Sequence, residues 1–548
     1  MERGLLTPLK ELRRQVFVEV ARMAFETETE NLKDAVEEIP YKITPGDKPK
    51  YRESIWRERA ICSERVRLAM GLSLRPEDVP VHLTSGMRAS DIADKYYEPP
   101  LMQVIPSACA ACSPNRYQVT DNCRGCVAHP CTAVCPKQCI SVESGRAVID
   151  QSKCIKCGRC KSVCPYDAIA HHTRPCAEAC GVKAIDSDEL GRAKIVPERC
   201  VSCGMCMVNC PFGAIADKSQ LFQLIRAIRR GDKIIAEVAP SYVGQFGDKV
   251  TPAKFKAALE QLGFADVFEV ALGADMGAAI EAHHYAEEVA TGKQPYMFTS
   301  CCPAWAMLIK HYFPETADKL SRTLTPMVAT ARTIKQKYPD YRVVFIGPCA
   351  AKKLEASRRT IRSDVDFVLT FEELSAVFEA RGIDPQTIES GEDMNDATGA
   401  GRGYACAGGV AGAIEKCIRA YYPDTPLQID HVEGLEDCRK MLLLAKMGRK
   451  NGSLIEGMAC PGGCVAGAGT NIQIGKAAAL VKKTVESSAE AIPPTPPAGT
   501  GEERAGGEKN LPHRGAGPGT APLPPAFVRA AGSFSFLTRY SRIVDKSH

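Results

Sequence analysis

Seventeen of the chain's 26 cysteines fall between residues 109 and 218. So dense a run leaves too little apolar volume for an ordinary core, and bound metal must organise this segment. A disulfide framework is the other use of many cysteines. The N-terminus, MERGLLTPLKELRRQVFVEVARMAF, has a helical apolar period broken by charges, without the apolar centre or cleavage site of a signal peptide. No stretch approaches the roughly 18 apolar residues of a membrane span. A cytoplasmic, reducing setting is expected, and there metal ligation is the leading reading of the thiols. The 70 basic and 65 acidic residues are mixed along the chain. No basic block stands out, which argues against nucleic acid as a partner.

Spacing narrows the metal. Cys154, Cys157, Cys160 and Cys164 stand as C-x2-C-x2-C-x3-C before Pro165, and Cys200, Cys203, Cys206 and Cys210 repeat the run before Pro211. In the bacterial ferredoxin form of this run, three thiolates hold one 4Fe-4S cube and the fourth ligates a neighbouring cube. Zinc ribbons would show paired C-x2-C knuckles without the third cysteine and the trailing Cys-Pro. Cys123, Cys126, Cys131 and Cys135 form a stretched third run, and Cys176 with Cys180 a partial fourth. If fourth ligands exchange between neighbouring runs, Cys123, Cys126, Cys131 and Cys164 hold one cube. Cys154, Cys157, Cys160 and Cys135 then hold a second, and Cys200, Cys203, Cys206 and Cys180 a third. Cys109, Cys112, Cys176 and Cys210 either hold a fourth cube or stay free or structural thiols. Cys139 is left unassigned. Several cubes in series make a wire for electrons.

Residues 1–108 read as a helical region without an assigned role, 109–218 as the ferredoxin-like 4Fe-4S module and 219–486 as an α/β domain. Residues 487–548 read as a Pro/Gly-rich tail unable to pack. Within the α/β domain the β-rich runs IIAEVAPS, VVFIGPC and SLIEGMAC each end in unusual residues. Ligands of open α/β folds sit at the carboxyl ends of strands, so these runs are expected to share one site.

Three motifs mark that site: TSCCPAW from Thr299, GPCAAKKLE from Gly347 and EGMACPGGCVAGAG from Glu456. In their order they closely resemble the three signature segments of the iron-iron hydrogenases, and the resemblance spans about residues 109–486. It implies an α/β catalytic domain of two lobes, each with a mainly parallel sheet flanked by helices, beside an α+β ferredoxin-like multi-cluster module. It also implies reversible interconversion of H2 with protons and electrons at an H-cluster, a 4Fe-4S cube bridged by a cysteine to a diiron unit bearing CO, CN and a dithiolate with a bridging amine. Three or four accessory 4Fe-4S clusters would pass electrons to a ferredoxin or similar electron carrier. Hydrogenase maturation proteins are further implied partners, with no membrane.

Carried over by position, Cys302, Cys349, Cys460 and Cys464 match the cube ligands, Cys464 at the bridging position. Residues i and i+4 share a helical face, which suits Cys460 and Cys464. Cys301 matches the proton-relay thiol. Neighbouring Cα atoms lie about 3.8 Å apart with diverging side chains, so vicinal cysteines can serve different partners. Ala239, Pro240 and Ser241 match a segment that contacts the dithiolate and a cyanide. Lys352 matches a donor to a cyanide, and Met458 a methionine packed near the diiron unit. On the outward proton path Glu281 and Ser321 match relay positions, while His284 and Glu288 replace the next acid and an outer arginine.

Two departures stand out. Gly347 replaces a methionine of the best-known members and is expected to leave a more open or more polar flank, and Ala304 stands where glycine is common. Two other functions share much of this pattern. A hydrogenase-like iron-sulfur assembly scaffold would generally lack the cysteine that Cys301 supplies, and an H2 sensor would usually carry a signalling domain.

Overall fold

The computed structural model describes residues 4–493 except 114, 359, 363, 390, 395 and 396, so most of the Pro/Gly-rich tail expected from 487 onward lies outside the described residues. Its centre is a parallel sheet of four strands in the order Asp266–Glu269, Ile234–Val238, Arg342–Gly347, Phe367–Thr370. Every residue of Ile234–Val238 is buried, as happens when helices cover both faces of a parallel sheet. A second parallel sheet places Ser453–Met458 between Met297–Phe298 and Gln428–Glu433. At the carboxyl ends of these strands the chain runs into Ala239, Cys301, Cys349 and Cys460.

The cysteine module has a nested topology. Met102–Val104 pairs antiparallel with Ile215–Asp217, and between them lies the hairpin Ile185–Ser187 with Ala193–Ile195. Inserted within this unit is a second of the same plan, in which Arg116–Val119 pairs with Ile169–His172 around the hairpin Ile140–Glu143 with Arg146–Ile149.

The N-terminal helices Pro8–Glu26, Leu32–Ile43 and Ile55–Ala69 have no separate core. Thr7 caps the first by accepting from Lys10 N at 3.2 Å. Val20, Leu32, Val36 and Ile39 are buried in the same apolar cluster as Phe222, Ile235 and Phe371. A buried ion network joins the module to the α/β domain: Lys353 Nζ reaches both Asp217 and Glu373 at 2.7 Å. Among the described residues no helix is long and apolar enough to cross a membrane.

Candidate functional site

A cavity of about 840 Å³ opens where the carboxyl ends of the two sheets meet. Cys301, Cys302, Cys349, Cys460 and Cys464 line it together with Ala239, Pro240, Lys352 and Met458. The vicinal pair sits in the turn after Phe298, and that turn is held from three sides. Thr299 N donates to Ile455 O at 3.1 Å, Trp305 Nε1 donates to Thr299 O at 3.1 Å, and the fully buried indole stacks edge-on against Phe298 at 5.4 Å. A Cβ on Gly457 would stand 2.3 Å from the indole, so glycine is required there. Cys302 and Cys349 occupy the N-cap positions of the helices Pro303–Tyr312 and Ala350–Ala356.

Cys460 and Cys464 reach the cavity differently from expectation. They are not on an α-helix. The chain turns through Gly462 and Gly463 at φ 99° and 84°, and only Cys464–Ala466 forms a short 3-10 turn. A side chain at 463 would press on Ala407 N at 2.4 Å. Glycine conformation, rather than helical spacing, brings the two sulfurs to one cavity.

The flank at Gly347 is closed, not open. The Phe345 ring also lines the cavity, and its Cε1 and Cζ lie 2.5 Å from where a Cβ on Gly347 would stand. Phe345 supplies the apolar bulk that residue 347 lacks.

Buried charge surrounds the cavity. Burial pushes the Cys301 thiol well above its ordinary range, with Cys302, Glu456 and Glu281 nearby adding to the effect. Burial raises the Glu281 carboxyl to about 7, against hydrogen bonds from the Ser321 side chain and the backbone at Ser300. Lys352 Nζ donates to Glu355 at 2.7 Å and lies 3.5 Å from Cys301 O. The structure thus gathers Cys301, Glu281, Ser321 and Lys352. His284 ends the helix Ala271–His284, three residues past Glu281 and outside the cavity wall.

Sequence reasoning missed three groups. Glu456 accepts from Gly408 N and Ala411 N at 2.8 and 2.7 Å. The buried Tyr404 hydroxyl has no hydrogen-bond partner on the cavity wall. Neighbouring His283 bonds Tyr422 OH at 2.8 Å. Each depends on contacts distant in sequence and carries no motif. Ser241 Oγ, which was expected to meet a cofactor, is buried and unpartnered among the described residues. An unpaired buried hydroxyl is costly, so a polar cofactor group beside it fits this wall.

Three smaller cavities gather cysteines in the module. One is lined by Cys123, Cys126, Cys131 and Cys164, one by Cys135, Cys154, Cys157 and Cys160 with Cys139, and one by Cys109, Cys112, Cys176 and Cys210. Cys180, Cys200, Cys203 and Cys206 form a fourth group close enough to raise one another's thiols, and Cys203 also reaches the main cavity. Two residues after the first cysteine of each group, Ala111, Gly125, Lys156 and Ser202 all adopt left-handed backbone, at φ 46°, 57°, 58° and 54°. In two of these turns the next amide points at sulfur, with Lys156 N and Ser202 N each 3.4 Å from Cys154 and Cys200 Sγ. The Cys109 turn shares the shape. Among the described residues no three His, Cys, Asp or Glu side chains converge on a single ion. Sulfurs ringed around a volume suit a cube with four corners.

Comparison with known proteins agrees in outline. Residues 232–468 match the model of the iron only hydrogenase large subunit, C-terminal domain, residues 147–170 a 4Fe-4S binding domain, and 170–221 an LdpA Fe-S cluster-binding domain. Iron hydrogenase 1 of Clostridium pasteurianum is 29% identical over 60% of this chain and 66% of its own length. The periplasmic Fe hydrogenase large subunit of Nitratidesulfovibrio vulgaris is 29% identical over 61% and 89%. A cytosolic Fe-S cluster assembly factor of Phaeosphaeria nodorum is 37% identical, but over 17% of this chain and 18% of its own. A solved FeFe-hydrogenase of Chlamydomonas reinhardtii superposes with a TM-score of 0.40 at 23% identity, over 48% of this chain and 88% of that one. The chain thus spans just under two thirds of the Clostridium relative. Through its domain at 232–468 and the iron-sulfur domains before it, the chain belongs to the iron-iron hydrogenase family.

Proposed function

We propose that this protein is a hydrogenase that interconverts H2 with protons and electrons, and that four accessory 4Fe-4S clusters connect its site to an external carrier such as a ferredoxin. The observation that carries this reading is the convergence of five cysteines on one cavity, with Cys301 backed by Glu281. Cys302, Cys349, Cys460 and Cys464 would hold the H-cluster, which supplies the redox-active metal when bound. We read the two parallel sheets as two lobes that meet around it.

The chain's own residues then divide the work. Lys352, fixed by Glu355, presents a cation to anionic ligands of the cofactor, where a charged donor bonds most strongly. Ser241 offers the hydroxyl that nothing else uses. Cys301, kept protonated by burial, holds a proton at Sγ. Glu281, poised near neutrality, accepts and returns that proton at low cost. Ser321 passes it outward, and His284 at the helix end is the group nearest neutrality beyond it. The apolar wall of Phe345, Val270 and Met327 keeps bulk water away.

Cys203 in the cavity wall marks its group as the first step of the wire. Three groups follow from ligand exchange between runs, and the shared turn geometry at Ala111 supports the fourth. The cysteine usage supports a cytoplasmic location. The test is an infrared spectrum of the matured protein: CO and CN stretching bands are expected, and their absence from competently matured protein refutes the reading.

A further inference from the structure

Cys135, Cys164, Cys180 and Cys210 each open the same turn. Three residues on, Gln138, Asp167, Lys183 and Gly213 are all left-handed, at φ 47°, 47°, 54° and 59°. Each donates its amide back to the cysteine carbonyl, at 3.1, 3.3, 2.9 and 3.1 Å. The next residue is buried every time: Ala168, Ala184 and Ala214 are 2%, 1% and 2% exposed, and Cys139 5%. A methyl group therefore satisfies this slot in three turns, and packing does not require sulfur in the fourth. Yet Cys139 Sγ lies 3.4 Å from Cys135 Sγ. Both sulfurs line one cavity with Cys154, Cys157 and Cys160, which gives five thiols for the four corners of a cube.

We propose that Cys139 is a reserve ligand of the cube held by Cys135, Cys154, Cys157 and Cys160. This rests on the cluster assignment proposed above. In the exchange the iron bond to Cys135 breaks and one to Cys139 forms. Cys139 releases its thiol proton, Cys135 takes one up, and no electron moves. The short separation of the sulfurs lets side-chain rotation make the exchange while the turn stays in place. Its position explains its use. Among the described cysteines only Cys157 is exposed, so this cube faces solvent, where oxidants and chelators reach ligands most easily.

The test measures iron per chain and the paramagnetic resonance of the cubes in full-length, reconstituted protein. Cys135→Ala and Cys139→Ala should each keep the full iron content, whereas the double variant should lose about four irons. Loss of those irons from Cys135→Ala alone overturns the proposal. Cys154→Ala/Cys157→Ala separates the two levels of inference, since unchanged iron there refutes the cluster assignment itself. A second measurement needs no variant. After brief chelator treatment, alkylation and peptide mapping of iron-replete native protein should mark Cys135 as well as Cys139, and marking of Cys139 alone throughout overturns the exchange.

Discussion

Cys301 and Cys302 share a peptide bond but not a task, and single substitutions separate them. Cys302 is one of four sulfurs placed to hold the cube, whereas Cys301 has Glu281 behind it. Cys301→Ala is expected to retain the CO and CN bands while H2 turnover falls by about 10²–10⁴, and near-normal turnover in fully loaded protein would remove Cys301 from the relay. Glu281 gives a second test through pH. Its folded carboxyl titrates near 7, above the unfolded value of about 4.3. The folded chain therefore keeps a proton that the unfolded chain releases. The stability this provides is complete below the unfolded value and is lost as pH rises through about 7. Glu281→Gln stays neutral throughout, so its stability relative to the native chain should rise by roughly 3 kcal/mol between about pH 5 and about pH 8. Denaturation at the two pH values checks this, and a constant difference counts against a neutral buried Glu281.

At the scale of elements, the strand Arg342–Gly347 shows how one turn of sequence compensates another. Phe345 fills the space beside Gly347, so Gly347→Ala should overpack the wall and cost about 1–3 kcal/mol. Phe345→Leu should recover much of that loss in the double variant. Additive losses in a thermal unfolding cycle would show that the two do not compete for space. The cysteine runs are elements of the same kind. Cys109→Ser/Cys112→Ser is expected to lower iron from about 22 to about 18 per chain and leave the infrared bands of the main site in place. Unchanged iron would leave these as free or structural thiols. The metal-bearing elements were legible in the sequence because thiolate spacing is local: C-x2-C fixes a turn whatever surrounds it. The groups Cys123 with Cys164 and Cys154 with Cys135 could be drawn on the same basis. Phe345, Glu456 and Tyr404 were not legible, because their roles arise from strand register and from helices distant in sequence. The turn at Gly462 and Gly463 was misread as a helix, since i, i+4 spacing fits either and only the positive φ angles decide.

For the whole molecule, composition separated the cysteine module from the α/β domain but gave no sign that residues before 109 belong to the core of the latter. The reason is that an amphipathic helix shows its apolar face without showing what covers it. Here the cover is the sheet's own helices. Leu32, Val36 and Ile39 are buried with Phe222 and Phe371, and Arg226 reaches back to Asp91 at 2.9 Å. The Lys353 network ties the module's last strand to the same body. A chain joined in this way should unfold its N-terminal helices and its central sheet together. Leu32→Ala removes a fully buried side chain from the shared cluster and should cost about 2–5 kcal/mol. Hydrogen exchange is the direct measurement. In this variant amides of the distant strand Ile234–Val238 should lose protection along with those of Leu32–Ile43. If the faster exchange were confined to the N-terminal helices, they would be an independent unit laid on the domain, and the shared core would have no energetic meaning.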